Sequence, residues 1–501
     1  MNRIGNIVLL CLLLCGVTVN AQTYEQVLRN NLWNASQNIT GVRQDTLSRS
    51  YAELSGKYED GDFRDTWQAA KGWSVGASTA SIRHLEKISL KGSFSFTQSE
   101  GYDMCGSMFI NPGYYPVDVL EFTPGRKTLQ SYTFDGGLAY DLTEAWRIGA
   151  MMDFESANMS KRKDLRHTNW LLDMKVAPGV MYNRNDWALG INYIFRKTSE
   201  TVEAEQVGVS ESSYYAFLDK GLMYGAYNIW TGSGLHLNEV GVKGLPVQEF
   251  SNGFAVQAQY KGLFAEAEYL HSSGTIGEKE YIWFLFPGNS AALRLGYKHS
   301  SGRTCHFARL DMNWSGRTMD ETVLEKVTEG GVSTVVNQGS NKILTQKSWS
   351  IRPEYEYVGD KVEVLVKAEV GVREAAASQM YPYMNWRSLV NYGADARVKC
   401  YLGQFELTAK AGYAAGKVVE EYWLVSEQAG VQTTPFRLQD YYDRQMEYAT
   451  AARLNAGLAL RWNFWKGLYV QADGCLTHAF SLRYIVAHNR VVASFRFGYN
   501  F

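Results

Sequence analysis

Long apolar runs are nearly missing from this chain. Beyond residue 20 no stretch approaches the ~18 consecutive apolar residues that a membrane-spanning helix needs, which excludes a helical membrane protein. Cysteine is sparse: past residue 21 only Cys105, Cys305, Cys400 and Cys475 remain, far apart and without a CxxC pair. That spacing argues against a zinc site or a disulfide framework. Neither sign of charge dominates, with 50 Lys and Arg against 51 Asp and Glu, so no basic face for nucleic acid is expected. No long stretch of 3.6-residue periodicity appears, which argues against a helical repeat array. The signatures of catalysis are missing too: no HExxH, no GxSxG and no P-loop lysine. What the chain does contain is aromatic residues and glycine, with 32 Tyr, 22 Phe, 14 Trp and 46 Gly against 9 Pro. These point to a large Tyr- and Gly-rich β protein.

The two ends narrow the compartment. Arg3, an apolar core over Ile7 to Val19 and the small-residue site Val19-Asn20-Ala21 read as a secretory signal peptide over residues 1–21. Leu14-Cys15-Gly16 resembles a lipobox, but Leu14 is too large for the position before the cysteine. At the other end, Phe495, Phe497, Tyr499 and Phe501 share one face of an alternating strand. A strand that stops at an aromatic residue is the expected membrane-insertion signal of an outer-membrane β-barrel, read by the barrel-assembly machinery.

Alternation continues through the chain. Val362, Val364, Val366, Ala368, Val370 and Val372 oppose Glu363, Lys367, Glu369 and Arg373, and similar patterns cover 392–400 and 405–413. A soluble sandwich also alternates. Short turns flanked by Trp or Tyr, alternating with much longer connections, favour a barrel with an aromatic girdle at the headgroup level. Eight short turns, near Leu85, Thr143, Asn185, Gly262, Ser301, Gly359, Leu402 and Lys466, predict about 18 antiparallel strands (range 14 to 18) over residues 48–501. Taking Leu402-Gly403 as a two-residue turn sets Lys399 opposite Glu406 and Asp395 opposite Lys410. The same rule around Gly359-Asp360 sets Glu356 against Glu363 and Arg352 against Lys367, a register with like charges facing.

Turned inward, the polar faces form a lumen charge network of Arg352, Glu354, Glu363, Lys367, Glu369, Asp395, Arg397, Lys399, Glu406, Lys410 and Arg453. The same faces carry Glu266, Glu268, Glu356 and Asp473 with Arg373, Arg461 and Arg496. Balanced signs are expected to cross-link the lumen, whereas a selective pore lines its constriction with one sign. A wide, wet channel with mixed walls is the rival reading.

Residues 22–47 precede the first strand. Helical spacing of Tyr24, Val27, Leu28 and Leu32, beside Asn30, Asn31, Asn34 and Asn38, fits either a plug entering the lumen or an ordered periplasmic tail. Long outer loops are expected near 100–128, 207–252, 316–345 and 424–444. Tyr281, Trp283, Phe284 and Phe286 lie in the most apolar stretch after the signal peptide, and read either as a lipid-facing strand end or as a ligand or partner loop. His271 beside Ser272 and Ser273 is the one candidate for surface enzymology, and a loop histidine near serines is common by chance. No cofactor or metal site is expected.

The mature chain resembles an uncharacterised family of outer-membrane β-barrels from Bacteroidota, through Arg29-Asn30-Asn31-Leu32-Trp33-Asn34, Asn38-Ile39-Thr40-Gly41, Gly92-Ser93-Phe94-Ser95-Phe96 and the terminal Phe501. The resemblance implies location, topology and an association with nutrient-uptake complexes; it carries no activity. Three functions follow as expectations. One is a barrel that binds or conducts a small or hydrophobic solute. Another is an accessory barrel that docks on a TonB-dependent transporter or surface lipoprotein. The third and weakest is a surface enzyme.

Overall fold

A two-faced strand buries one face only when its neighbours continue both edges, and here the sheet closes on itself. The structure, a computed structural model, describes residues 23–205, 215–221, 227–231, 245–278, 281–380, 383–423 and 438–501. The expected signal peptide lies outside the described residues, as do parts of the expected loops 207–252 and 424–444. Eighteen antiparallel strands form the wall, each paired with the next in sequence. The last, Asn489–Asn500, pairs with the first, Arg49–Asp60, and Trp187–Glu205 pairs with Leu245–Tyr260 across an inserted hairpin. That hairpin, Tyr215–Asp219 with Tyr227–Thr231, lies against the start of the wall strand Asp118–Asp141. Main-chain bonds between Ser50 and Phe501, at 2.8 and 2.9 Å, complete the closure at the chain's last residue. Closure removes every edge in the membrane-spanning wall, which a bilayer requires because lipid cannot satisfy free N–H and C=O groups.

All eight expected short turns join strands, and the count of 18 follows from them. They lie at the end of the barrel that carries both termini. Beside them sits an outward aromatic belt: Trp146 on Tyr182 at 5.0 Å, Trp187 on Tyr260 at 4.5 Å, Tyr499 on Phe501 at 5.4 Å between ring centroids. Further along the wall the outward positions are apolar, including Phe94, Phe134, Ile148, Leu189, Val366, Leu458 and Phe497, all exposed. Such a face is stable only against lipid.

Two details of register differ from the sequence reading. In the hairpin near Gly403 the central residues are Gly403 and Gln404, with Leu402 opposite Phe405. Gly403 holds φ at +67°, a conformation that costs a leucine more than a glycine, so the turn centres one residue later. Lys399 then stands opposite Thr408, Lys410 opposite Arg397 and Asp395 opposite Gly412, so the expected Asp395–Lys410 pair does not form. The hairpin near Gly359 shifts likewise: Glu354 faces Lys367 and Glu356 faces Leu365. The like-charge clash disappears.

The expected outer loop 316–345 is not a loop. Thr304–Glu329 and Val332–Val358 are strands of 26 and 27 residues joined by a tight turn at Gly330-Gly331. About 9 to 11 residues cross a bilayer, so this hairpin projects well past it. Gly-Gly between two strand-forming segments is the sequence signature of such a turn.

Candidate functional site

The lumen is filled from one end by the residues that precede the first strand. A helix over Tyr24–Asn30 starts at a capping box, Thr23 with Gln26, and two 3-10 turns follow at Leu32–Ala35 and Ile39–Gln44. Tyr24, Val27, Ile39 and Val42 pack on Ala80, Ile82 and Ala139 of the inner wall; Leu32 and Trp33 pack on Met181, Ala188, Phe264 and Phe307. Burial first, and the charge of Asp135 second, raise the Tyr24 hydroxyl far above tyrosine's usual pKa. Asn38 donates to the carbonyls of Val180 and Ile191 and to Gln257 Oε1, at 3.2, 3.4 and 3.1 Å. Its own oxygen accepts from the N–H and hydroxyl of Thr40. Polar groups out of water need such partners. The wall makes room with inward glycines. A Cβ at Gly179 would stand 2.6 Å from Asn38 Oδ1, and one at Gly190 would stand 2.9 Å from both Asn38 and Trp33.

Ion pairs tie this segment to the opposite wall. Arg29 holds Glu363 with both terminal nitrogens, at 2.9 and 3.1 Å, and reaches Glu356 at 3.1 Å. The Tyr401 hydroxyl donates to Glu363 at 2.7 Å, and Arg397 lies 3.3 Å from Glu356. The network continues through Glu354, clamped between Arg309 at 2.6 Å and Lys367 at 2.7 Å, and through Lys399 on Glu406 at 2.7 Å. Arg352 meets Glu369 at 3.0 Å. Six of the eleven residues expected in the network thus pair among themselves, and Glu363 and Arg397 join through Arg29 and Glu356. Asp395 and Lys410 form no ion pair among the described residues, and Arg453 donates to the Tyr448 carbonyl. The sequence reading missed Arg29, the residue that links the N-terminal segment to this network. Inward glycines at 137, 149, 179 and 190, with the asparagine cluster, were the available signal.

At the far end the outer segments fold inward. Met108, Phe109, Tyr115 and Val117 form a buried core with Leu218 of the inserted hairpin and with Phe284, Phe286, Ile343 and Leu344 of the wall strands. Asn169 holds the Met108 carbonyl at 2.7 Å, and Glu200 accepts from the Ile110 N–H at 2.8 Å. Burial leads in raising the Tyr115 hydroxyl, with the Glu200 charge adding. Phe284 and Phe286 are fully buried here, and Trp283 packs beside them. The stretch Tyr281, Trp283, Phe284, Phe286 is therefore the end of the strand Tyr281–Ser301 and presents no open ligand or partner loop at its two phenylalanines. Its even-numbered side chains face the interior rather than lipid, because the loop 108–117 covers them.

Between the two closures lies a cavity of about 900 Å³. Its wall includes Arg352, Glu354, Lys367, Glu369, Asp395 and Arg453 of the expected network. A second helix, Leu438–Thr450, roofs one side with Tyr441, Tyr442 and Met446. Asp65, from the loop after the first strand, lines the roof, and burial raises its carboxyl above the ordinary range. No cluster of metal-ligating side chains occurs among the described residues. His271 bonds Asn289 at 2.9 Å, and alternation sends Ser272 to the opposite face, so these two do not form a catalytic pair.

A family model described as a family of unknown function (DUF6850) matches residues 40–501. No curated protein matches the chain. Among solved structures, the copper transporter OprC is similar over 91% of this chain and 83% of its own, at 8% identity and a TM-score of 0.43. YddB, an outer membrane transporter from Escherichia coli, covers 90% and 80% at 7% identity and a TM-score of 0.38. The siderophore receptor PiuA from Acinetobacter baumannii covers 90% and 82% at 7% identity and a TM-score of 0.40.

Proposed function

We propose, from the premise that the chain belongs to the family of unknown function DUF6850, that it is a non-enzymatic solute-binding or accessory barrel of nutrient uptake with a closed lumen. The observation that carries this reading is the double closure. Residues 23–44 fill the end with the short turns, the core around Phe109 and Phe284 fills the other, and a polar cavity lies between them. A general diffusion pore needs a continuous wet path, and the packing at the two ends argues against one. In planar bilayers the intact protein is expected to show little steady conductance, and deletion of residues 22–47 should raise it. A large, stable conductance from the intact protein would restore the diffusion channel for small or hydrophobic solutes.

The accessory role has its own support. Residues 322–342 form a hairpin beyond its lateral neighbours: pairing with Tyr281–Ser301 stops at Glu321, and pairing with Val362–Met380 starts at Leu344. Its edges carry free backbone donors and acceptors of the kind that another chain's strand or loop can use. A surface lipoprotein or a TonB-dependent transporter is the expected partner class. Assembly into the outer membrane, with the aromatic terminus read by the barrel-assembly machinery, belongs to the same proposal.

A further inference from the structure

Cations that face this lumen are mostly neutralised at contact distance. Arg294 meets Glu268 at 3.0 Å, Arg309 and Lys367 share Glu354, Arg352 meets Glu369, and Lys399 meets Glu406. Arg373 and Arg387 depart from that pattern. They point inward from adjacent strands, one step apart on the diagonal: Arg373 is opposite Leu389, and Arg387 is opposite Ala375. Both line the 900 Å³ cavity, and neither has a carboxylate within ion-pair distance among the described residues. Their positions are set by neutral partners instead. Arg373 donates to Asn391 Oδ1 at 3.4 Å, while Arg387 donates to Met446 Sδ at 3.1 Å and lies over the Tyr442 ring at 5.6 Å.

The nearest acids stay out of ion-pair contact with the two guanidiniums. Glu369 is bonded to Arg352, and Glu421, across the strand from Arg387, accepts from the Tyr442 hydroxyl. Glu374 alternates to the other face of its strand, opposite Lys347. Ser348, across from Arg373, is neutral. Two guanidiniums held side by side with no carboxylate in contact repel each other, and an anionic group between them would relieve that repulsion.

We infer that the cavity is a binding site for a small polar solute bearing a carboxylate or phosphate group, with Arg373 and Arg387 as its anion clamp. Planar guanidiniums match both groups bidentately, and the volume suits a ligand of drug or small-metabolite size. The inference rests on the solute-binding reading of the closed lumen and names the class of solute. Its test measures binding rather than conductance, so failure of the one is distinguishable from failure of the other.

Equilibrium dialysis of the full detergent-solubilised barrel would use citrate and tripolyphosphate as probes, with maltotriose as the neutral control. One or both anions should bind and maltotriose should not; which anion wins distinguishes a carboxylate from a phosphate ligand. R373Q and R387Q should each weaken binding about tenfold, the loss of one charged hydrogen bond. R303Q, at an exposed turn, should leave it unchanged, and heat-modifiable migration on gels reports that each variant is folded. Failure of both anions to bind the folded protein, or equal binding by R373Q, R387Q and the parent, overturns the proposal.

Discussion

Arg29 is the residue on which the N-terminal segment's attachment turns. Its guanidinium satisfies two nearly buried carboxylates, Glu356 and Glu363, and removing it leaves both without that partner. Breaking a buried pair from one side costs about 3–5 kcal/mol, because the remaining charge keeps its desolvation cost. Arg29→Ala should therefore release residues 23–47 to protease added from the periplasmic side, with the barrel still heat-modifiable; continued protection would show that apolar packing alone holds the segment. A steric version of the same experiment is Gly190→Val. The new side chain meets Trp33, Asn38 and Gln257, and overpacking of that kind costs about 1–3 kcal/mol. Higher conductance with normal assembly is the expected outcome. At Phe501 the prediction is different. Its main chain closes the sheet on Ser50 while its ring faces outward, so Phe501→Asp keeps the closing hydrogen bonds and loses the aromatic end. Outer-membrane levels of the folded barrel should fall severalfold in that variant; unchanged levels would remove the terminal ring from the insertion signal.

Elements behave differently depending on whether the wall needs them. The hairpin portion 322–342 has sheet neighbours on neither side, and isolated two-stranded ribbons are marginally stable in water. Replacing residues 323–341 with a two-residue turn should leave assembly and heat-modifiability intact. Proteins that co-purify from native membranes through this hairpin should disappear from the shortened variant. An unchanged set of co-purifying proteins would move the docking surface elsewhere. The loop 108–117 is of the opposite kind. Its Met108, Phe109 and Tyr115 are buried in one core with the inserted hairpin and the ends of several wall strands, so cutting it out exposes those apolar ends. Loops that bury this much apolar surface act as structure and are expected to resist proteolysis.

At the scale of the molecule, the barrel is a membrane wall around an interior in which most charges have an opposite partner. Unpaired ionised groups away from bulk water cost several kcal/mol, so a lumen filled with paired Arg, Lys and Glu side chains favours staying filled. The same physics separates the two halves of the interior. Near the short turns, Arg29, Arg397 and Lys399 are saturated with carboxylates and hold the N-terminal segment; nearer the roof, Arg373 and Arg387 face open volume.

Strand number, the lipid-facing side of each strand and the aromatic belt were legible in the sequence. They depend on a period of two and on turn residues, both of which are local. The location of the turns near 85, 143, 185, 262, 301, 359, 402 and 466 needed no tertiary information, since glycine, asparagine and short polar clusters interrupt the alternation there. Which carboxylate meets which cation was not legible. Moving a turn centre by one residue changes the cross-strand partner by two positions, as at Gly403, and only backbone φ values and the closed sheet fix that choice. Tertiary structure alone decided where the N-terminal helix and turns lie, because Arg29 finds its partners more than 300 residues away. It also decided that Phe284 and Phe286 are covered, since a loop from a distant part of the chain supplies the cover. Local patterning sets what each face of a strand prefers; only the packed molecule supplies what that face meets.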